Sequence, residues 1–146
     1  MAGFKVVVTD DRHKTYEEEK QVLSSIGAEV IVANCSTAEE VLKACRDADG
    51  ILANMAPVTA KVVENLEKCK VISRYGVGYD NVDVAACTAK GIYVTNVTDY
   101  CAEEVSDHAL ALLMACARKI ARRDAQVRAG KWNITGEDPI YRMAGK

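Results

Sequence analysis

A chain of 146 residues, 49% hydrophobic and 27% charged, has the size and balance of a single globular domain with a sizeable core, which excludes a disordered or low-complexity polypeptide. A formal net charge of -2 gives no electrostatic footing for nucleic acid, and the longest strongly apolar stretch, 109–117, is too short to span a bilayer. The amino terminus runs into a charged strand with no secretory h-region, so the chain reads as cytoplasmic.

In chain order, residues 4–9 (FKVVVT) form a β-branched run suited to a strand buried on both faces, ending at Asp10 and Asp11. Residues 15–26 place Tyr16, Val22, Leu23 and Ile26 among charges, an amphipathic helix stopped by Gly27. A second strand is expected at 29–33. A helix follows over 37–46, capped by Ser36 or Thr37, with Val41, Leu42 and Cys45 inward. Residues 50–53 are a third strand, Asn54 to Pro57 a loop, and Thr59 the cap of a helix reaching 66. A fourth strand at 69–73 leads into a turn with two glycines, Gly76 and Gly78. Beyond it lie a helix over 83–90 closed by Gly91 and a fifth strand at 92–95. Strands alternating with helices specify an α/β parallel sheet covered on both sides, and five units match the flavodoxin-like fold. Residues 102–129 then contain no proline or glycine and repeat Val105, Ala109, Leu112, Leu113, Cys116 and Ile120 at helical spacing, which predicts one long helix of about 40 Å.

The glycine turn carries the chemistry. Glycine accepts backbone angles that other residues resist and lets N–H groups approach an anion; the alternative is a tight strand-to-helix connection with no ligand. As a dinucleotide fingerprint GVGYDN is poor, because Asn81 stands where G-x-G-x-x-G has its third glycine. Six cysteines, at 35, 45, 69, 87, 101 and 116, include no C-x-x-C pair and no histidine at zinc spacing, so no metal site is expected and the thiols read as reduced.

The segment SRYGVGYDNVD followed by GIYVTNVTDYCAEEVSDHALALLMACARKI resembles the NAD-dependent D-isomer-specific 2-hydroxyacid dehydrogenases, whose members act on phosphoglycerate, glyoxylate and hydroxypyruvate. The likeness covers nearly the whole chain and includes RAGKW at 128–132. It implies the strand order 2-1-3-4-5, a substrate-binding domain over 1–98, a helix over 99–130 that crosses to a nucleotide domain and makes dimer contacts, and an irregular tail over 131–146. It implies that Val77 and Gly78, with Gly76, hold the substrate carboxylate by backbone amides, and that Val77 and Val105 border the nicotinamide. Asn54, Met55 and Ala56, on the same rim of the sheet, would meet the rest of the substrate, although turn-making is the other account of Asn54.

The implied reaction moves a hydride between C2 of a 2-hydroxy or 2-oxo acid and C4 of NAD, with NADP also open. A histidine, an arginine and an acidic residue of the family lie later in longer chains, so no catalytic residue is assigned within these 146. The chain is therefore expected to be inactive alone and to bind no cofactor, reading as the amino-terminal half of a truncated enzyme. A small-carboxylate-binding or assembly module is the alternative, and self-association through 102–129 the expected partner. Asp10 and Asp11 suggest a receiver domain, but Asn54 and Asn96 stand where its phosphoacceptor and lysine belong; the pair then reads as solvated turn residues. His13 reads as surface, His108 as a hydrogen-bonded residue near a helix start, and Arg74 as a structural or rim contact.

Overall fold

The β-branched runs assemble into one parallel sheet. In the computed structural model, which describes residues 3–132 and 139–145, strands β1 (Lys5–Val8), β2 (Glu29–Val32), β3 (Gly50–Ala53), β4 (Val71–Arg74) and β5 (Tyr93–Thr95) lie in the order β2-β1-β3-β4-β5. The strands alternate with helices α1 (Glu17–Ser24), α2 (Ala38–Cys45), α3 (Ala60–Glu64) and α4 (Val84–Lys90). This is the flavodoxin-like order expected. Register sets one row of side chains across the sheet, Ile31, Val7, Ile51, Ile72 and Val94, each the Cα partner of the next. Its middle members, Val7, Ile51 and Ile72, are fully buried, whereas Ile31 on the edge strand is exposed.

Local sequence explains the helix ends. Thr37, of the two caps proposed, is the one used: its hydroxyl accepts from the Glu40 N–H while the Glu40 carboxylate accepts from the Thr37 N–H, a reciprocal capping box. Asp83 caps α4 by accepting from the Ala86 N–H at 2.9 Å, and Gly91 closes that helix at φ 70°. Thr59 precedes α3 without a side-chain cap bond. The other end of α3 is held from outside, where Lys90 Nζ donates to the carbonyls of Val63, Glu64 and Leu66 at 2.9, 2.7 and 2.5 Å.

The two faces of the sheet are not covered alike. Right-handed connections between parallel strands carry α2, α3 and α4 to one face and α1 to the other. On the first face Val41 and Cys45 of α2, Val62 and Val63 of α3 and Cys87 of α4 join Val7, Ile51 and Ile72 in one buried cluster, with Leu42 half-buried beside it. Helix α1 contributes no buried residue: Val22 and Ile26 are exposed, and only Tyr16, just before the helix, is buried.

Residues Tyr100–Lys146 form a compact unit separate from Met1–Asp99. The single long helix does not occur. The segment divides into α5 (Ala102–Ala117) and α6 (Ile120–Arg128), with Lys119 between them in the left-handed region at φ 56°. A continuous helix would stack Arg118 on Arg122 and Lys119 on Arg123, like charges at i,i+4. The break falls where the apolar composition of α5 gives way to that basic run, and α5 is about 24 Å long. Of the irregular tail, residues 133–138 and 146 lie outside the described residues.

Candidate functional site

Three strand ends meet at the carboxyl rim of the sheet, where ligands of open parallel sheets bind. Ala53 of β3 pairs with Arg74 of β4, so the loop after one and the turn after the other start side by side. The end of β1 lies on the other flank of β3, joined by the Thr9 N–H bond to the Leu52 carbonyl at 3.0 Å.

Asp10 organises the β3 loop. Its carboxylate accepts from the Met55 N–H at 3.1 and 3.0 Å, the Ala56 N–H at 3.2 Å and the Thr9 hydroxyl at 2.7 Å, and Arg12 Nε lies 3.3 Å away. It is only 3% exposed, so the reading of Asp10 as a solvated turn residue is corrected. Burial alone would raise its pKa, but the Thr9, Met55, Ala56 and Arg12 hydrogen bonds outweigh that and hold the carboxyl below its ordinary value. Exposed Asp11 accepts from the Tyr16 hydroxyl at 2.9 Å.

Arg74 and Asn81 join that loop to the glycine turn. Arg74 Nε donates to Asn81 Oδ1 at 3.2 Å and its NH1 reaches Asn54 Oδ1 at 3.4 Å, while Asn81 Nδ2 donates to the carbonyls of Asn54 at 3.2 Å and Ala56 at 2.9 Å. The departure at Asn81 from the dinucleotide fingerprint was the available signal for this residue. An asparagine offers both the donor and the acceptor that a glycine lacks. A guanidinium is therefore fixed at the rim beside half-buried Asn54 and exposed Met55.

The glycine turn is held by its carbonyls. The Val97 N–H donates to Gly76 O at 3.2 Å and Asn96 Nδ2 to Val77 O at 2.8 Å, whereas the N–H groups of Val77 and Gly78 meet no acceptor among the described residues. Gly76 is buried; Val77 and Gly78 are exposed. Neither glycine has a left-handed φ, and only Gly76 is short of space for a side chain. A Cβ on Gly76 would lie 3.1 Å from Arg74 NH1, and one on Gly78 would lie 3.6 Å from an Asp80 carboxylate oxygen.

The structure adds to one histidine reading and corrects the other. His13 is exposed but packs on Tyr75, ring centroids 4.9 Å apart, and on Tyr16 at 5.9 Å. The Tyr75 hydroxyl donates to Glu19 of α1 at 2.8 Å, and burial followed by that carboxylate pushes its pKa upward. His108 is exposed on α5 and hydrogen-bonds to none of the described residues, so the structure-fixing role is not seen. Val105 is likewise exposed on α5, in the second unit.

The N-terminus of α4, beyond this turn, is capped by the Asp83 carboxylate. A hollow of about 160 Å³ nearby is lined by Tyr79, Val84, Val94, Thr95 and Asn96. What the rim offers an anion is two unpartnered amides and one fixed guanidinium. Among the described residues no group of three or more potential ligands could hold a metal ion, and no helix is long and apolar enough to cross a membrane.

Comparison with known proteins finds relatives of this chain and of its fold. The chain is 41% identical over 130 residues to the D-3-phosphoglycerate dehydrogenase of Methanocaldococcus jannaschii, covering 88% of this chain and 24% of that protein. Among solved structures, a Pyrococcus horikoshii protein superposes with a TM-score of 0.78 at 33% identity, over 97% of this chain and 43% of the other. The NAD+-bound 3-phosphoglycerate dehydrogenase of Entamoeba histolytica gives a TM-score of 0.58 at 31% identity, over 65% of this chain and 33% of its own. The chain thus spans less than half the length of each. The family model for the D-isomer specific 2-hydroxyacid dehydrogenase catalytic domain matches residues 6–140, and the chain belongs to that family.

Proposed function

We propose that this chain forms the substrate-holding side of an NAD-dependent oxidoreductase that interconverts 2-hydroxy and 2-oxo acids, with NADP as the second choice of cofactor. One observation carries the reading: among the described residues the Val77 and Gly78 amides meet no acceptor, in a turn where the carbonyls of Gly76 and Val77 are both engaged. A carboxylate accepting both amides would have its negative charge met by fixed dipoles and by Arg74 nearby. Asn54 and Met55 would meet the remainder of the acid. Ala56, buried with its amide on Asp10, shapes the loop.

Val77 and Val105, both exposed and apolar, are the residues that would border the nicotinamide. Residues 1–98 would then serve as the substrate-binding domain and 99–130 as the connection to a nucleotide domain. The only two histidines, His13 and His108, are exposed on a loop and on α5, and the resemblance implies that the acid–base histidine of the family lies later in longer chains. The 146-residue chain by itself is therefore expected not to turn over. Incubated with NADH and a panel of 2-oxo acids, it should oxidise none above buffer, and turnover would refute this part of the reading.

Calorimetry with glyoxylate, hydroxypyruvate and phosphoglycerate tests the binding part. Binding lost in a Gly78→Pro variant, which removes one amide donor, supports the amide site, and undiminished binding overturns it. A carboxylate-binding or assembly module without chemistry is the second reading. Its support is the run of exposed apolar residues on α5, Val105, Leu110, Leu112, Leu113 and Met114, which a second copy would cover. Light scattering at micromolar concentration should then report a dimer.

A further inference from the structure

Both amides assigned to the substrate carboxylate belong to peptide units whose carbonyls accept a hydrogen bond, and both of those bonds come from the two residues that follow β5. The peptide plane of Gly76 C=O carries the Val77 N–H, and Val97 N–H binds that carbonyl at 3.2 Å. The next plane, Val77 C=O, carries the Gly78 N–H and is bound by Asn96 Nδ2 at 2.8 Å. A hydrogen bond accepted by a carbonyl draws charge through the planar amide and strengthens donation from the N–H at its other end. It also prevents the plane from rotating.

We propose that Asn96 is a positioning residue for substrate binding: by holding the Val77 carbonyl it aims and polarises the Gly78 N–H that receives the carboxylate. This rests on the reading of the turn given above. Sheet register places Asn96 for this task, since Ser73 pairs with Thr95 and the two strand ends therefore leave the sheet together. The side-chain chemistry is also specific. An Asn amide donates at every pH, a leucine at the same position has no donor, and an ionised aspartate would set a negative charge against the carbonyl oxygen and beside the anion.

Amide-resolved NMR of the isotope-labelled 146-residue chain, titrated with oxamate as an unreactive 2-oxo acid mimic, tests the inference. In the unaltered chain oxamate should move the Val77 and Gly78 amide protons downfield. In Asn96→Leu the ligand-free Gly78 proton should shift upfield and oxamate affinity fall about fivefold or more, with resonances of the β1–β4 core unmoved as the control for folding. In Asn96→Asp affinity should be lost at neutral pH and return as the pH falls toward the ordinary aspartate value of about 3.9, where the protonated carboxyl can donate to Val77 O. The unaltered chain should show no such return. An unmoved Gly78 proton or undiminished affinity in Asn96→Leu overturns the role of Asn96 while leaving the amide site standing. Absence of any Val77 or Gly78 response in the unaltered chain overturns the amide site itself, and the role of Asn96 with it.

Discussion

The Asp10 carboxylate, at the end of β1, accepts the backbone N–H of Ala56, 46 residues away in the β3 loop, at 3.2 Å, and that bond fixes one wall of the candidate site. The neighbouring Met55 amide binds the same carboxylate. A charge only 3% exposed is tolerated because these bonds replace water.

The pH dependence of stability follows from the lowered pKa of Asp10. With the folded value below the unfolded one, the stabilisation is fully present above the unfolded value of about 3.9 and is lost as pH falls through the folded value. Denaturant melts of Asp10→Asn should show a loss of about 1–3 kcal/mol at pH 7 that narrows in acid. An equal loss at pH 7 and pH 3 would contradict the assignment.

Lys90 should stabilise the C-terminus of α3 through its three carbonyl contacts. Lys90→Met keeps the apolar stem but removes the donors, and the midpoint of urea unfolding should fall by an amount equivalent to about 1 kcal/mol. An unchanged midpoint would mean that water serves those carbonyls equally well.

Thiol reactivity should divide the cysteines. Cys35, Cys45, Cys69 and Cys87 are buried, and burial pushes Cys45 up to about 12 and Cys69 to about 11, so little thiolate forms at neutral pH. Under native conditions a disulfide reagent should modify exposed Cys116 rapidly, and those four only once the chain is unfolded. Rapid labelling of Cys45 by peptide mapping would show that the core opens.

Asp80 places a carboxylate oxygen near Gly78, where repulsion opposes an incoming anion. Asp80→Asn should tighten oxamate binding severalfold at low salt and less at high salt, because the charge is exposed and screened. Calorimetry at two ionic strengths distinguishes this from a packing effect, which salt would leave unaltered.

Much of the fold was legible because its signals are local. The β-branched run at β1, the Thr37–Glu40 capping box, and Gly27 and Gly91 at helix ends each depend on residues within one turn or one strand. The long helix was misread for the same reason. Helical spacing continues through residue 119, whereas like charges four apart oppose a continuous helix there and the backbone turns left-handed. At the glycine turn a left-handed backbone is not what glycine supplies: both glycines adopt ordinary φ, and Gly76 makes room for Arg74.

By itself the sequence determined the alternation of strand and helix, the five-stranded parallel class, the family, and the turn at Gly76 to Gly78. Only the tertiary structure decided that Asp10 is a buried acceptor for the β3 loop, that Asn81 and Arg74 bind Asn54, and that Asn96 and Val97 hold the carbonyls beneath the two free amides. The physical reason is sequence distance. A hydrogen bond between residues 19 to 46 positions apart leaves no periodicity to read, and exists only once parallel pairing has brought the strand ends to one rim.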